Sequence, residues 1–131
     1  MRRSLQITML IVAAVPLVLG TLNLISGATA FVTDDQVNAN LDNMLRFYAV
    51  WFMGAFFLTV WCVRNLDIAG PVMLIMFSTM ALGGVARLFS ITQVGLPDPP
   101  MLVATAVEVG VLVFVPWHRA VLRQSQKEPA A

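Results

Sequence analysis

Residues 68–89 read IAGPVMLIMFSTMALGGVARLF. This run carries a single charge, Arg87. About 20 apolar residues, at a rise of about 1.5 Å each, cross the hydrocarbon core of a bilayer as one helix. The stretch therefore predicts a membrane-spanning helix from Ile68 to Phe89. Working outward, three more apolar stretches of similar length appear, Leu5 to Ile25, Leu41 to Val63 and Met101 to Trp117. Tilt and interfacial anchoring absorb the small differences in length.

The connections are short: Ser26 to Asn40, Arg64 to Ala69, and Thr92 to Pro100. Short connections make neighbouring helices antiparallel. The expected fold is an all-α membrane protein, a four-transmembrane-helix antiparallel up-down bundle. It is expected to form one domain over residues 1–123, followed by a polar tail over 124–131. Thr33-Asp34-Asp35-Gln36 has the pattern of a capping box. It predicts that the second helix starts at Thr33, before the apolar run. Asp98-Pro99 predicts a cap followed by proline in the first turn of the fourth helix. Pro16 falls inside the first span, where neighbouring helices can satisfy the freed carbonyl.

Composition agrees. Hydrophobic residues make up 59% of the 131 residues and charged residues only 11%. Soluble domains carry about 25% charged residues, so this chain needs lipid as part of its solvent. The net charge of +1 provides no basic field and argues against nucleic acid. Cys62 is alone, which excludes an internal disulfide and a CxxC motif. His118 is also alone and lies beside basic residues, where an interfacial role is expected rather than metal binding.

Six cations flank the spans: Arg2, Arg3, Arg64, Arg119, Arg123 and Lys127. A four-span topology puts all of them on one side, and the positive-inside rule makes that side cytoplasmic. Asp34, Asp35 and Asp98 then lie outside. A rival reading takes Met1-Arg2-Arg3, the first apolar run and Ala28-Thr29-Ala30 as a cleavable signal peptide. The run is longer than the usual core of about 7–15 residues.

Ionisable residues within membrane spans point to a functional role. Here they are Arg46, Arg87 and Glu108, with Asp42 at an edge and Asn43 beside it. Their charges sum to zero. Asp42 and Arg46 stand four apart with the acid first, the favourable order on a helix. Glu108 is then the natural partner of Arg87. Small or polar residues share these faces: Gly54 with Arg46, Gly83 and Gly84 with Arg87, Ala104 and Thr105 with Glu108. Pro16, Gly20, Asn23, Ser26 and Gly27 form a similar stripe on the first helix. Small residues let membrane helices approach closely, so these faces are expected to meet. Trp61 and Trp117 fall where an aromatic belt belongs.

The elements Asp42-Asn43-Met44-Leu45-Arg46-Phe47 and Gly83-Gly84-Val85-Ala86-Arg87, then Gly95-Leu96-Pro97 and Glu108, resemble a bacterial membrane family. It is known as domain of unknown function 4345. The resemblance covers roughly Gly20 to Trp117. It implies a four-helix membrane fold with Asp42, Asn43, Arg46, Arg87 and Glu108 as its characteristic polar set. No nucleophile constellation accompanies these residues, so no catalytic residue, metal or cofactor is expected. The leading expectation is a non-enzymatic accessory or scaffold subunit, or a binder of a lipid-like ligand, in a bacterial inner membrane. Its partners would be membrane lipids and a partner membrane protein or further copies of itself. Two alternatives stay open: a small proton-coupled carrier using Glu108, and a membrane enzyme acting on a quinone or lipid.

Overall fold

A computed structural model describes residues Met1–Lys127. Among them the chain is helical almost throughout. The helices are α1 (Arg2–Ser26), α2 (Ala39–Arg64), α3 (Gly70–Val94), α4 (Pro99–Gly110) and α5 (Phe114–Lys127). Four segments are long and apolar enough to cross a membrane: Arg2–Ala30, Ala39–Arg64, Gly70–Val94 and Pro99–Gln126. The last of them joins α4 and α5.

The chain forms two compact units, Ile7–Arg64 and Met1–Gln6 with the residues from Asn65 onward. In the first, α1 and α2 run antiparallel. A Cβ on Gly20 would come within 2.8 Å of the Ala49 carbonyl and 3.0 Å of Met53, and one on Gly27 would overlap the Asp42 carboxylate. The partner number falls as the α1 number rises. In the second unit α3 runs antiparallel to the fourth segment. Gly70 faces His118 and Gly84 faces Val109. Between them the Phe77 and Phe114 rings lie 5.3 Å apart. Met73, Phe77 and Ala81 recur at helical spacing and are all buried, so this face of α3 forms a continuous packing surface.

Several local expectations are corrected. The capping box at Thr33 does not form, because the Thr33 side chain makes no cap bond and Asp34–Gln36 closes only a 3-10 turn. Val37 is extended, and α2 starts at Ala39 instead. The Asn38 carboxamide oxygen accepts a hydrogen bond from the Leu41 backbone N–H at 2.9 Å, as an N-cap should. The fourth span is not one regular helix. It tightens to a 3-10 turn over Val111–Val113. Pro116 supplies the cause: it cannot donate to the Leu112 carbonyl four residues back, and its ring crowds that group. Residues Gln124 to Lys127 of the polar tail continue α5, and the rest of the tail lies outside the described residues.

The cap expected at Asp98 does not form either: Asp98 precedes Pro99 at the start of α4, but its side chain makes no cap bond. The helix α1 continues through Pro16. Gly95, at φ +113°, closes α3 by donating its N–H to the Ile91 carbonyl at 3.1 Å.

Candidate functional site

The sequence singles out two arginines, and their environments differ. Each of the three Arg46 nitrogens has a partner. Its Nε donates to Asp42 Oδ2 at 2.8 Å, and its Nη2 reaches Asp42 Oδ1 at 3.5 Å. Its Nη1 donates to the carbonyls of Leu24 at 2.6 Å and Ile25 at 3.4 Å. Those carbonyls belong to the last turn of α1, where no intrahelical donor remains. Arg46 therefore caps the C-terminal end of α1, the end at which a cation is favourable. Asp42 Oδ1 in turn accepts the Ala28 N–H at 3.0 Å. The chain can enter this arrangement because Gly27 adopts φ +60°, a conformation that costs other residues energy. Together these contacts tie the end of α1 to the first turns of α2.

Arg87 is engaged on one side only. Its Nε donates to Glu108 Oε2 at 2.8 Å. Its Nη1 faces the Met101 sulfur at 3.6 Å, and a thioether is a weak acceptor. Its Nη2 has no partner among the described residues. The Arg87 side chain is 36% exposed and that of Glu108 16%. Glu108 accepts through Oε2, while Oε1 has no partner among the described residues.

Gly84 makes this pair geometrically feasible. A Cβ there would come within 2.7 Å of Val109 Cγ2, 3.1 Å of the Val109 nitrogen and 3.2 Å of Glu108 Cβ. Helices α3 and α4 thus touch backbone to backbone one turn from Arg87. Gly83 has only Glu108 Oε2, at 3.8 Å from such a Cβ. Thr105, buried one turn before Glu108, donates back to the Met101 carbonyl at 2.8 Å.

The other residues of the predicted set fall differently. Asn43 is exposed, turned away from Asp42 by one helical step. Gly54 has no neighbour within 4 Å of an added Cβ and is not a close-packing position. Ser26 is exposed, whereas Gly20, Asn23 and Gly27 are buried. Asn23 Oδ1 is the one buried side-chain polar atom without a partner among the described residues. Its place on the small, polar stripe of α1 is the sequence signal that singled it out.

His118 occupies a site the sequence did not reveal. It is buried, at 3% exposure, and its Nε2 lies 2.6 Å from the Leu66 carbonyl. A carbonyl only accepts, so Nε2 carries the proton. The ring pins the turn between α2 and α3 to α5. Arg2 holds the same turn through Asp67, with Nη1 and Nη2 each donating to one carboxylate oxygen at 2.8 Å. These bonds keep the Asp67 carboxyl below the usual carboxylate range. No group of three or more His, Cys, Asp or Glu side chains able to hold a metal ion occurs among the described residues.

Four membrane-capable helices and an otherwise irregular chain of a few turns define a small multi-pass, all-α membrane protein. The chain matches the family described as "Domain of unknown function (DUF4345)" over residues 4–118 and belongs to it. No curated protein and no solved structure matches the chain.

Proposed function

We propose that the protein is a non-enzymatic accessory component of a bacterial cytoplasmic membrane that binds an anionic, lipid-like ligand through Arg87. The observation carrying this reading is the contrast between the arginines. Arg46 spends its donors on Asp42 and on the end of α1, whereas Arg87 Nη2 has no partner among the described residues. A guanidinium anchored through Nε by Glu108 is oriented but not saturated. Its open edge suits a phosphate or carboxylate, which arginine binds with paired hydrogen bonds. Asp42 and Arg46 then serve the fold, and Asn43 is left as a peripheral contact. Both termini face the cytoplasm, since a four-span topology puts the flanking cations on one side. Arg87 and Glu108 lie in the outer half of the membrane.

The experiment is purification of the full chain from its native membrane in mild detergent, with mass spectrometry of the bound lipids and proteins. Arg87→Leu should retain its helical content and lose a copurifying anionic lipid that the parent carries. A lipid complement identical in parent and Arg87→Leu would refute the assignment. The unpartnered Glu108 Oε1 favours a second reading, a proton-coupled carrier. That reading predicts proton uptake by vesicles holding the parent and none by vesicles holding Glu108→Gln.

A further inference from the structure

A cleft of about 330 Å³ opens between the start of α3 and one face of α5. From α3 its walls include Gly70 and Leu74, and from α5 Val115, His118, Arg119 and Leu122. The α5 residues recur at steps of three and four, so they form one helical face. The volume falls at the lower end of the range for small-molecule sites, about 300–1,000 Å³. One part of the lining is aliphatic and the other is cationic.

Among the described residues the charge at this cleft is uncompensated. Arg119 makes no ion pair among the described residues. The neighbouring carboxylate, Asp67, is already held by both nitrogens of Arg2. The start of α3 adds to the positive character: its cap residue is Ala69, which offers no side-chain acceptor to the first N–H groups, and that end of a helix attracts anions. His118 is fixed by the Leu66 carbonyl and closes the floor. Leu74 is 43% exposed and extends the aliphatic wall along α3 toward the hydrocarbon.

We propose that this cleft binds the headgroup of an anionic phospholipid, with the phosphate against Arg119 and the first methylenes along Val115 and Leu74, one turn nearer the hydrocarbon. The combination commits the site to a phospholipid. A soluble anion would leave the aliphatic wall unused, and a zwitterionic lipid would bring a second cation beside Arg119. The site is distinct from Arg87, which stands 17 residues further along α3, about 25 Å at helical rise.

Trp117 precedes His118 and stacks on Phe114 with ring centroids 6.2 Å apart, so its fluorescence reports on this end of α5. The full chain with Trp51→Phe and Trp61→Phe keeps it as the sole tryptophan. This protein is reconstituted into vesicles of phosphatidylcholine containing brominated phosphatidylglycerol or, in parallel, brominated phosphatidylcholine. Phosphatidylglycerol should quench Trp117 at about fivefold lower mole fraction, the factor that about 1 kcal/mol per membrane-facing cation confers. Arg119→Gln should bring the ratio to near unity, and Arg119→Lys should keep it. Equal quenching by the two lipids in the starting protein would overturn the proposal, and that comparison requires no further variant. Preference retained in a helical Arg119→Gln chain would overturn it as well.

Discussion

Adjacent glycines on α3 make opposite demands, and this can be measured. Gly83→Ala and Gly84→Ala each replace a helical glycine with alanine, which by itself stabilises a helix by about 0.5–1 kcal/mol. That gain is common to both variants and cancels in their difference. What remains is the space each methyl meets. At position 83 its nearest neighbour is Glu108 Oε2 at 3.8 Å, an ordinary contact. At position 84 it meets Val109 Cγ2 at 2.7 Å and the Val109 backbone nitrogen at 3.1 Å. The valine methyl can rotate away, but the nitrogen moves only with α4. Overpacking of this kind costs about 1–3 kcal/mol, so Gly84→Ala should be less stable than Gly83→Ala by that amount. The assay is unfolding of purified protein in mixed micelles of increasing dodecyl sulfate fraction, followed by circular dichroism. Adding Val109→Ala to Gly84→Ala should recover part of the loss, since it removes the nearer contact and leaves the backbone one. Equal stability of the two alanine variants would refute the close approach of α3 and α4.

Breaking a buried ion pair costs about 3–5 kcal/mol, but Arg87 is 36% exposed. Glu108→Ala should therefore cost about 1–3 kcal/mol in the same assay, and Glu108→Gln less, because its amide oxygen still accepts from Arg87 Nε. Parent-like stability of Glu108→Ala would show that the pair carries no structural load. Asp67 lies outside the spans and its carboxyl is held below its ordinary value by Arg2. A depressed folded value adds stability above the unfolded value, and this is lost as pH falls through the folded one. The unfolding midpoint of the parent should drop below about pH 4, and the drop should be shallower in Asp67→Asn. Reporter fusions after Lys127 and within Arg64 to Ala69 should read cytoplasmic, and one within Ser26 to Asn40 external. A cytoplasmic signal from that first connection would refute the proposed orientation.

The four spans were legible because lipid selects on a simple property, the length of an apolar run. The two ion pairs were legible for a related reason. Charges are so scarce in these helices that each acid has few cations to choose from, and the spacing of four already assigns Asp42 to Arg46. What sequence concealed depends on backbone detail. Thr33 and Asn38 are both competent caps, and the choice falls to Asn38 because Val37 is extended between the 3-10 turn and α2. The break at Val111–Val113 follows from Pro116, whose effect falls four residues upstream of itself. The engagement of Arg46 with Leu24 and Ile25 spans more than twenty positions and leaves no periodic trace. Burial of His118 likewise depends on a carbonyl 52 residues away.

The tie between Gly27, Asp42 and Arg46 has a consequence for how these positions vary. Each residue is useful only while the other two are present: a side chain at 27 displaces the carboxylate, and without the carboxylate the guanidinium loses its anchor beside the α1 carbonyls. Groups in one network do not contribute additively. The first substitution among the three incurs most of the loss, and a second or third then adds little. Single replacements are the ones selection would remove, while a relative that has lost the glycine is released from keeping the aspartate and the arginine. The three positions should therefore be inherited, or abandoned, together.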